Sequence, residues 1–202
     1  MSKKEFLKKI AVTSGAIIIA STTMFSSIAF AGVSKLNMSF IYFGNSSYYT
    51  TQVEKTNDSL QVISPNYFNL NEDGSLFLTN AIDAEFIDEM HDNNVEVIPF
   101  LSNHWDRELG RLALEYKEEL AEDICEMIEK YNLDGVNIDI ENLTEIDRDD
   151  YTEFVKLINE KLPEDKTLSI SVAPNPYGIS SGWQGSYDYE NLAKYSDYLV
   201  IM

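Results

Sequence analysis

Residues 134–142 read DGVNIDIEN, and they lie between two stretches with helical periodicity. Val136, Ile138 and Ile140 are apolar, whereas Asn137, Asp139 and Glu141 are polar or acidic. Residues two apart on a strand share a face. Strands of an open parallel sheet carry helices on both faces and read as nearly continuous apolar runs. This strand has only one apolar face. It fits a sheet covered by helices on one side and enclosing something polar on the other, as in a barrel.

The rest of the chain supports that frame. Strands are expected at 38–43 (MSFIYF), 60–64 (LQVIS), 95–102 (VEVIPFLS), 134–141, 167–174 (TLSISVAP) and in the final DYLVIM. A polar segment separates the first two, and a loop or hairpin around Asp73-Gly74 follows the second. Helices are expected over 81–94, over 111–132 and from near Asp147 to Leu162, with a short one at YENLAKYS. Leu120, Ile124, Met127, Ile128 and Tyr131 recur at the spacing of one buried helical stripe. Strands that alternate with helices build βαβ units and a parallel sheet. No G-x-G-x-x-G follows the first strand, which argues against a dinucleotide fold. The expected class is α/β, a (β/α)8 TIM barrel over residues 32–202, incomplete, with about six βα units. A closed barrel takes eight strands and about 250 residues. The chain therefore reads as a C-terminally truncated fragment with two open strand edges, unstable as a monomer by itself.

The N-terminus carries a separate signal. MSKKEFLKK precedes an uncharged run from Ile10 to Ser34 that contains Ala29-Phe30-Ala31. This is the layout of a secretory signal peptide cleaved after Ala31, so residues 1–31 are excluded from the fold. An uncleaved anchor is the alternative, since the run is long enough to span a bilayer. Ser and Thr dilute its second half, which favours cleavage. The expected destination is outside the cell, secreted or wall-associated, with no stable membrane insertion. The net charge is −19, and losing a lysine-rich leader makes it more negative. Such a surface excludes nucleic acid and anionic lipid as partners. Cys125 is the single cysteine, so no intramolecular disulfide forms, and it falls on a helix stripe as a buried thiol. The two histidines, His91 and His104, stand apart from any metal-ligand cluster.

Asp139 and Glu141 project together, about 6.5 Å apart along the strand. Two carboxyls in one confined site resist joint ionisation, so one pKa rises and a general acid becomes available near neutral pH. Spacing alone leaves a solvated acidic face equally open. A barrel interior disfavours that reading, because unpaired charge there is costly.

The run Asp134-Gly135-Val136-Asn137-Ile138-Asp139-Ile140-Glu141 resembles the D-G-x-D-x-D-x-E signature of family 18 glycoside hydrolases, the chitinases and their relatives. Asn137 stands where many chitinases have Asp. Leu133, the VAPNP strand end, DYLVIM in the place of the sixth strand and the export signal also fit, so the resemblance spans most of 37–202. Its form is most similar to bacterial relatives that cut peptidoglycan in the spore cortex or cell wall. The resemblance implies a retaining, substrate-assisted hydrolysis of β-1,4-linked N-acetylglucosamine polymers, chitin or peptidoglycan. Glu141 would be the general acid and base. Asp139 would accept a hydrogen bond from the substrate acetamide, and Asn137 would donate one to Asp139 and keep it anionic. No cofactor or metal takes part. Sugars stack on aromatic rings, so Trp183, Trp105, Tyr187 and Tyr42 are candidate substrate-binding residues; loop or core packing is the alternative for each. Asp106 and Asp188 fit helix or turn caps better than catalysis. The family's acetamide-holding Tyr and its last two strands would fall after Met202, so no turnover is expected from the fragment alone. The full-length product is expected to be a monomer. A non-catalytic barrel that binds amino-sugar polymers and an inactive fragment are the alternatives.

Overall fold

The computed structural model describes residues 35–202, so the expected leader, residues 1–31, lies outside the described residues. The elements in order are β1 (Met38–Ile41), α1 (Ser46–Glu54), β2 (Val62–Pro65), β3 (Phe68–Leu70), β4 (Leu76–Leu78), α2 (Ala84–Asp92), β5 (Glu96–Val97) and β6 (Phe100–Ser102). Then come α3 (Arg107–Glu115), α4 (Lys117–Lys130), β7 (Gly135–Asp139), a 3-10 turn (Glu145–Asp147) and α5 (Arg148–Lys161). The last elements are β8 (Thr167–Val172), α6 (Gly182–Gly185), α7 (Tyr189–Lys194) and β9 (Tyr198–Ile201).

Strand order decides between the two parallel architectures. The ladders run β1-β2-β5 and β4-β3-β6-β7-β8-β9, parallel throughout except where β4 folds back on β3. Because β2 leads into β3 and β5 into β6, the main strands lie side by side in chain order. A doubly wound sheet would reverse that order part-way, whereas a barrel does not. Pro99 lacks an N–H and interrupts the third strand between β5 and β6. Its carbonyl still accepts from Asn137 N at 2.8 Å, and Ile98 N still bonds Ile63 O at 2.9 Å, so the sheet is continuous. The sheet also curls. Tyr198 on β9 reaches Met38 on β1 across the concave side, its hydroxyl 3.9 Å from the sulfur. Among the described residues β1 pairs with β2 and β9 with β8, and the arc between β1 and β9 stays open.

The core lies between the convex face of the sheet and the helices. Ile63, Val97, Leu101, Val136, Ile138, Ile140, Leu168, Ile170 and Val172 face outward into one cluster with Phe86, Ile87, Ile124, Ile128, Phe154 and Ile158. Each large apolar side chain buried in this way contributes about 1.5–3 kcal/mol. Helices α1, α2, α3 and α7 begin on side-chain caps that satisfy free N–H groups of the first turn. Asp106 Oδ1 accepts from Glu108 N and Leu109 N on α3, and Asp188 Oδ1 accepts from Asn191 N on α7. Both aspartates are caps, as their positions suggested.

Three features depart from the sequence reading. Residues 46–54, read as a polar segment, form α1, which has no apolar stripe and buries only Tyr49. Tyr49 packs edge-on against Phe86, with ring centroids 5.7 Å apart, so one aromatic anchor holds the helix. The single helix expected over 111–132 is two helices, α3 and α4, which meet at Tyr116. The amphipathic pattern runs straight through that break and conceals it. The loop of 175–188 contains the short α6.

Candidate active site

The first two residues of the acidic run serve the strand itself. Asp134 Oδ2 accepts from Val97 N at 2.7 Å and lies 2.8 Å from His91 Nε2, tying the start of β7 to β5 and α2. Gly135 has φ +150°, and a Cβ there would run into the Thr167 carbonyl oxygen, so only glycine lets β7 and β8 pair at this point.

Asn137 lies next on the concave face, fully buried. Its register partners are Phe100 on β6 and Ser169 on β8. Its Nδ2 donates to Ser169 Oγ at 2.9 Å, and its Oδ1 accepts from Ser171 Oγ at 2.9 Å. The expected donation from Asn137 to Asp139 is therefore not made. The β8 serines stand beside Asn137 and take up its amide, a pairing set by interstrand register.

Asp139 and Glu141 come one and two steps higher. Both line a cavity of about 500 Å3 with Phe40, Tyr42, Phe100, Ser102, His104, Trp105, Ser171 and Met202. Burial pushes the Asp139 carboxyl up to about 6. Ser171 lies close enough to pull it back, but the single Ser171 proton goes to Asn137. Asp139 Oδ1 is buried and has no hydrogen-bond partner among the described residues. Burial, and then the neighbouring Asp139 charge, push Glu141 up to about 7. Between pH 6 and 7 the site thus holds a proton on Glu141 beside an acceptor atom on Asp139 that has no partner.

The aromatic candidates separate into wall and support. Tyr42 and Trp105 are 44% and 48% exposed and line the cavity. Tyr42 Oη lies 3.0 Å from His104 Nδ1, which fixes the phenol at the rim. Trp105 has φ +67° and rests edge-on against Trp183, with ring centroids 4.7 Å apart. Trp183 is not part of the cavity lining. Its Nε1 donates to Tyr187 Oη at 2.9 Å, so it braces Trp105 from behind. Tyr187 is only 3% exposed and packs edge-on against Tyr151, with centroids 5.9 Å apart. The expectation of Tyr187 as a sugar-stacking residue is therefore corrected: burial in the core leaves its ring no free face. Cys125 is buried with its thiol pushed up to about 11, as an inert core side chain.

The sequence reading passed over Phe40, Phe100, Ser102, Ser171 and Met202 as site residues, although strand periodicity places them on the same face as Asp139. It also passed over Asn103, whose side chain bonds the backbone of Glu141.

Residues 38–202 match the family model described as Glycosyl hydrolases family 18. The chain belongs to this family. A Bacillus subtilis (strain 168) relative named uncharacterized glycosylase YvbX is 26% identical over 88 residues, 43% of this chain and 26% of that protein. The cortical fragment-lytic enzyme of Bacillus anthracis is 29% identical over 80 residues, 39% of this chain and 19% of its own length. Among solved structures, the Bacillus cereus spore cortex-lytic enzyme SleL superposes with a TM-score of 0.74 at 18% identity, covering 83% of this chain and 41% of that one. The similarity to SleL shows a shared fold. The chain spans well under half the length of each of these relatives. The family 18 match begins at the first residue of β1 and takes in every element of the curled sheet.

Proposed function

We propose that this chain carries the acid and assisting carboxyls of an exported glycoside hydrolase that cleaves β-1,4-linked N-acetylglucosamine polymers with retention of configuration. The observation that carries this reading is the pairing of Glu141, raised to about 7, with the partnerless Oδ1 of buried Asp139 in one cavity. At neutral pH Glu141 donates its proton to the glycosidic oxygen. The acetamide carbonyl of the bound sugar attacks the anomeric carbon, and an oxazolinium ion forms as the glycosidic bond breaks. Asp139 Oδ1 accepts the acetamide N–H, which orients the nucleophile and offsets its growing positive charge. Glu141, now a carboxylate, takes a proton from water as that water opens the oxazolinium. Trp105 and Tyr42 offer ring faces for the sugars beside this centre. No step calls for a metal or an organic cofactor.

Peptidoglycan is the substrate this reading favours over chitin, because two of the similar proteins are named as cortex-lytic enzymes. Export rests on the pattern of residues 1–31. The deciding assay measures reducing ends released from N-acetylglucosamine oligomers and from peptidoglycan by the full-length wild type and by its Glu141→Gln form. Cleavage that falls by about 10²–10⁴-fold in the variant supports the reading. Binding without cleavage by the wild type would leave an amino-sugar-binding barrel instead.

A further inference from the structure

Glu141 lies two residues past the end of β7, beyond the residues that β7 pairs with either neighbour. Its main-chain N–H and C=O are nonetheless both bonded, to a single side chain. Asn103 Oδ1 accepts from Glu141 N at 2.9 Å, and Asn103 Nδ2 donates to Glu141 O at 2.9 Å. One amide thus takes the place that a neighbouring strand's backbone would fill. The same Nδ2 donates to Asp106 O at 2.7 Å, and Asn103 is fully buried. Gly110 on α3 closes over it, and a Cβ there would lie 2.9 Å from Asn103 Nδ2.

The next residue is gripped as well. Arg107 donates from Nε to Asn142 O at 2.7 Å and from Nη2 to Asn142 Oδ1 at 2.9 Å. Asn142 Nδ2 in turn donates to Trp105 O at 2.9 Å, and Asn142 itself has φ +60°. Asn103, Arg107 and Asn142 do not line the cavity, and the bonds to Glu141 itself go to its backbone.

We propose that Asn103 and Arg107 are positioning residues that hold the Glu141 carboxyl in the cavity wall by clamping the backbone of residues 141 and 142. The kinetic part of this proposal rests on the hydrolase reading. A displacement of about 1 Å at a reacting group can cost about 10²-fold in rate, so a clamp on the backbone is a clamp on the chemistry.

The test uses the full-length protein with isotope-labelled glutamate, the Glu141 carboxyl signal being assigned by its loss in Glu141→Gln. Its titration midpoint is followed by NMR beside kcat and KM on N-acetylglucosamine oligomers. The wild-type midpoint is expected near 7. In Asn103→Ala and Arg107→Ala it should fall by at least about one unit, towards the ordinary glutamate value of about 4.3, as water reaches the loosened carboxyl. kcat should drop about 10²-fold in Asn103→Ala and about 10-fold in Arg107→Ala, with KM changed less than about 3-fold. Arg107→Lys should recover part of the loss, because one ammonium can still reach one Asn142 oxygen. Folded variants with a wild-type midpoint and kcat overturn the proposal, and so does lost stability with an unmoved midpoint. If Asn103→Ala does not fold, Arg107→Ala decides by the same two readings. A midpoint that shifts while no form, wild type included, hydrolyses sugar upholds the clamp and sinks the hydrolase reading.

Discussion

The two faces of β7 obey opposite rules. Outward, Val136, Ile138 and Ile140 are fully buried and packed into the helix layer. Their positions follow from hydrophobicity alone, because the transfer of apolar surface is non-directional and any well-packed arrangement serves. Inward, Asn137, Asp139 and Glu141 rise from the barrel floor towards solvent, and each is decided by particular partners. Asn137, at the bottom, is fully satisfied by two serines. Asp139, one step up, keeps an oxygen without a partner among the described residues. A single strand thus carries a face built for stability and a face built for chemistry. On the second face, a polar atom left unsatisfied is affordable only because the first face stabilises the fold.

That contrast can be broken from either side. The largest effect is expected inside. Asp139→Asn should lower kcat by about 10²–10³-fold, the scale of losing one stabilising group at a developing charge. It should also shift the basic limb of the pH–rate profile to lower pH, because the Asp139 charge helps hold Glu141 up. A single-turnover assay across pH reads both effects, and an unmoved limb would show that the two carboxyls do not interact. Next comes the outer face. Ile138→Ala should destabilise by about 2–5 kcal/mol in urea unfolding, with the pH–rate profile unchanged in shape. A changed profile would mean that the two faces are coupled.

Smaller effects sharpen the levels within the inner face. Asn137→Asp replaces the donor to Ser169 with a charge and should cost about 1–3 kcal/mol. It also places a like charge one step from Asp139, so Asp139 should titrate higher, as carboxyl NMR can check. The smallest effect is on stability against pH. Asp139 and Glu141 bind protons more tightly folded than unfolded, since both are raised above 3.8 and 4.5. Their contribution is therefore fully present below about pH 4 and is lost as pH rises through about 6 and 7. Urea midpoints should decline over that window, and Glu141→Gln should flatten the decline. A wild-type midpoint that rises from pH 5 to 7 would contradict the raised values.

Much of this was legible in the sequence, because it depends on periodicity. Alternation along residues 134–141 separated the apolar face from the acidic one, and the strand–helix rhythm identified the sheet as parallel. The motif residues Asp139 and Glu141 emerged from the same alternation, and both line the cavity. The helix α1 was illegible because SSYYTTQVE carries no stripe; its stability comes from one tertiary anchor, Tyr49.

What the sequence determined by itself, then, is which face each residue of a strand takes and which carboxyls share one, since strand geometry has a period of two and needs no knowledge of neighbours. Tertiary structure alone decided who touches whom. Register placed Ser169 and Ser171 against Asn137, burial turned Tyr187 into the core, and a loop 38 residues earlier in the chain brought Asn103 to the backbone of Glu141. Hydrogen bonds reach about 3 Å and are directional, so their partners are settled by the packed fold and leave no periodic trace in the chain.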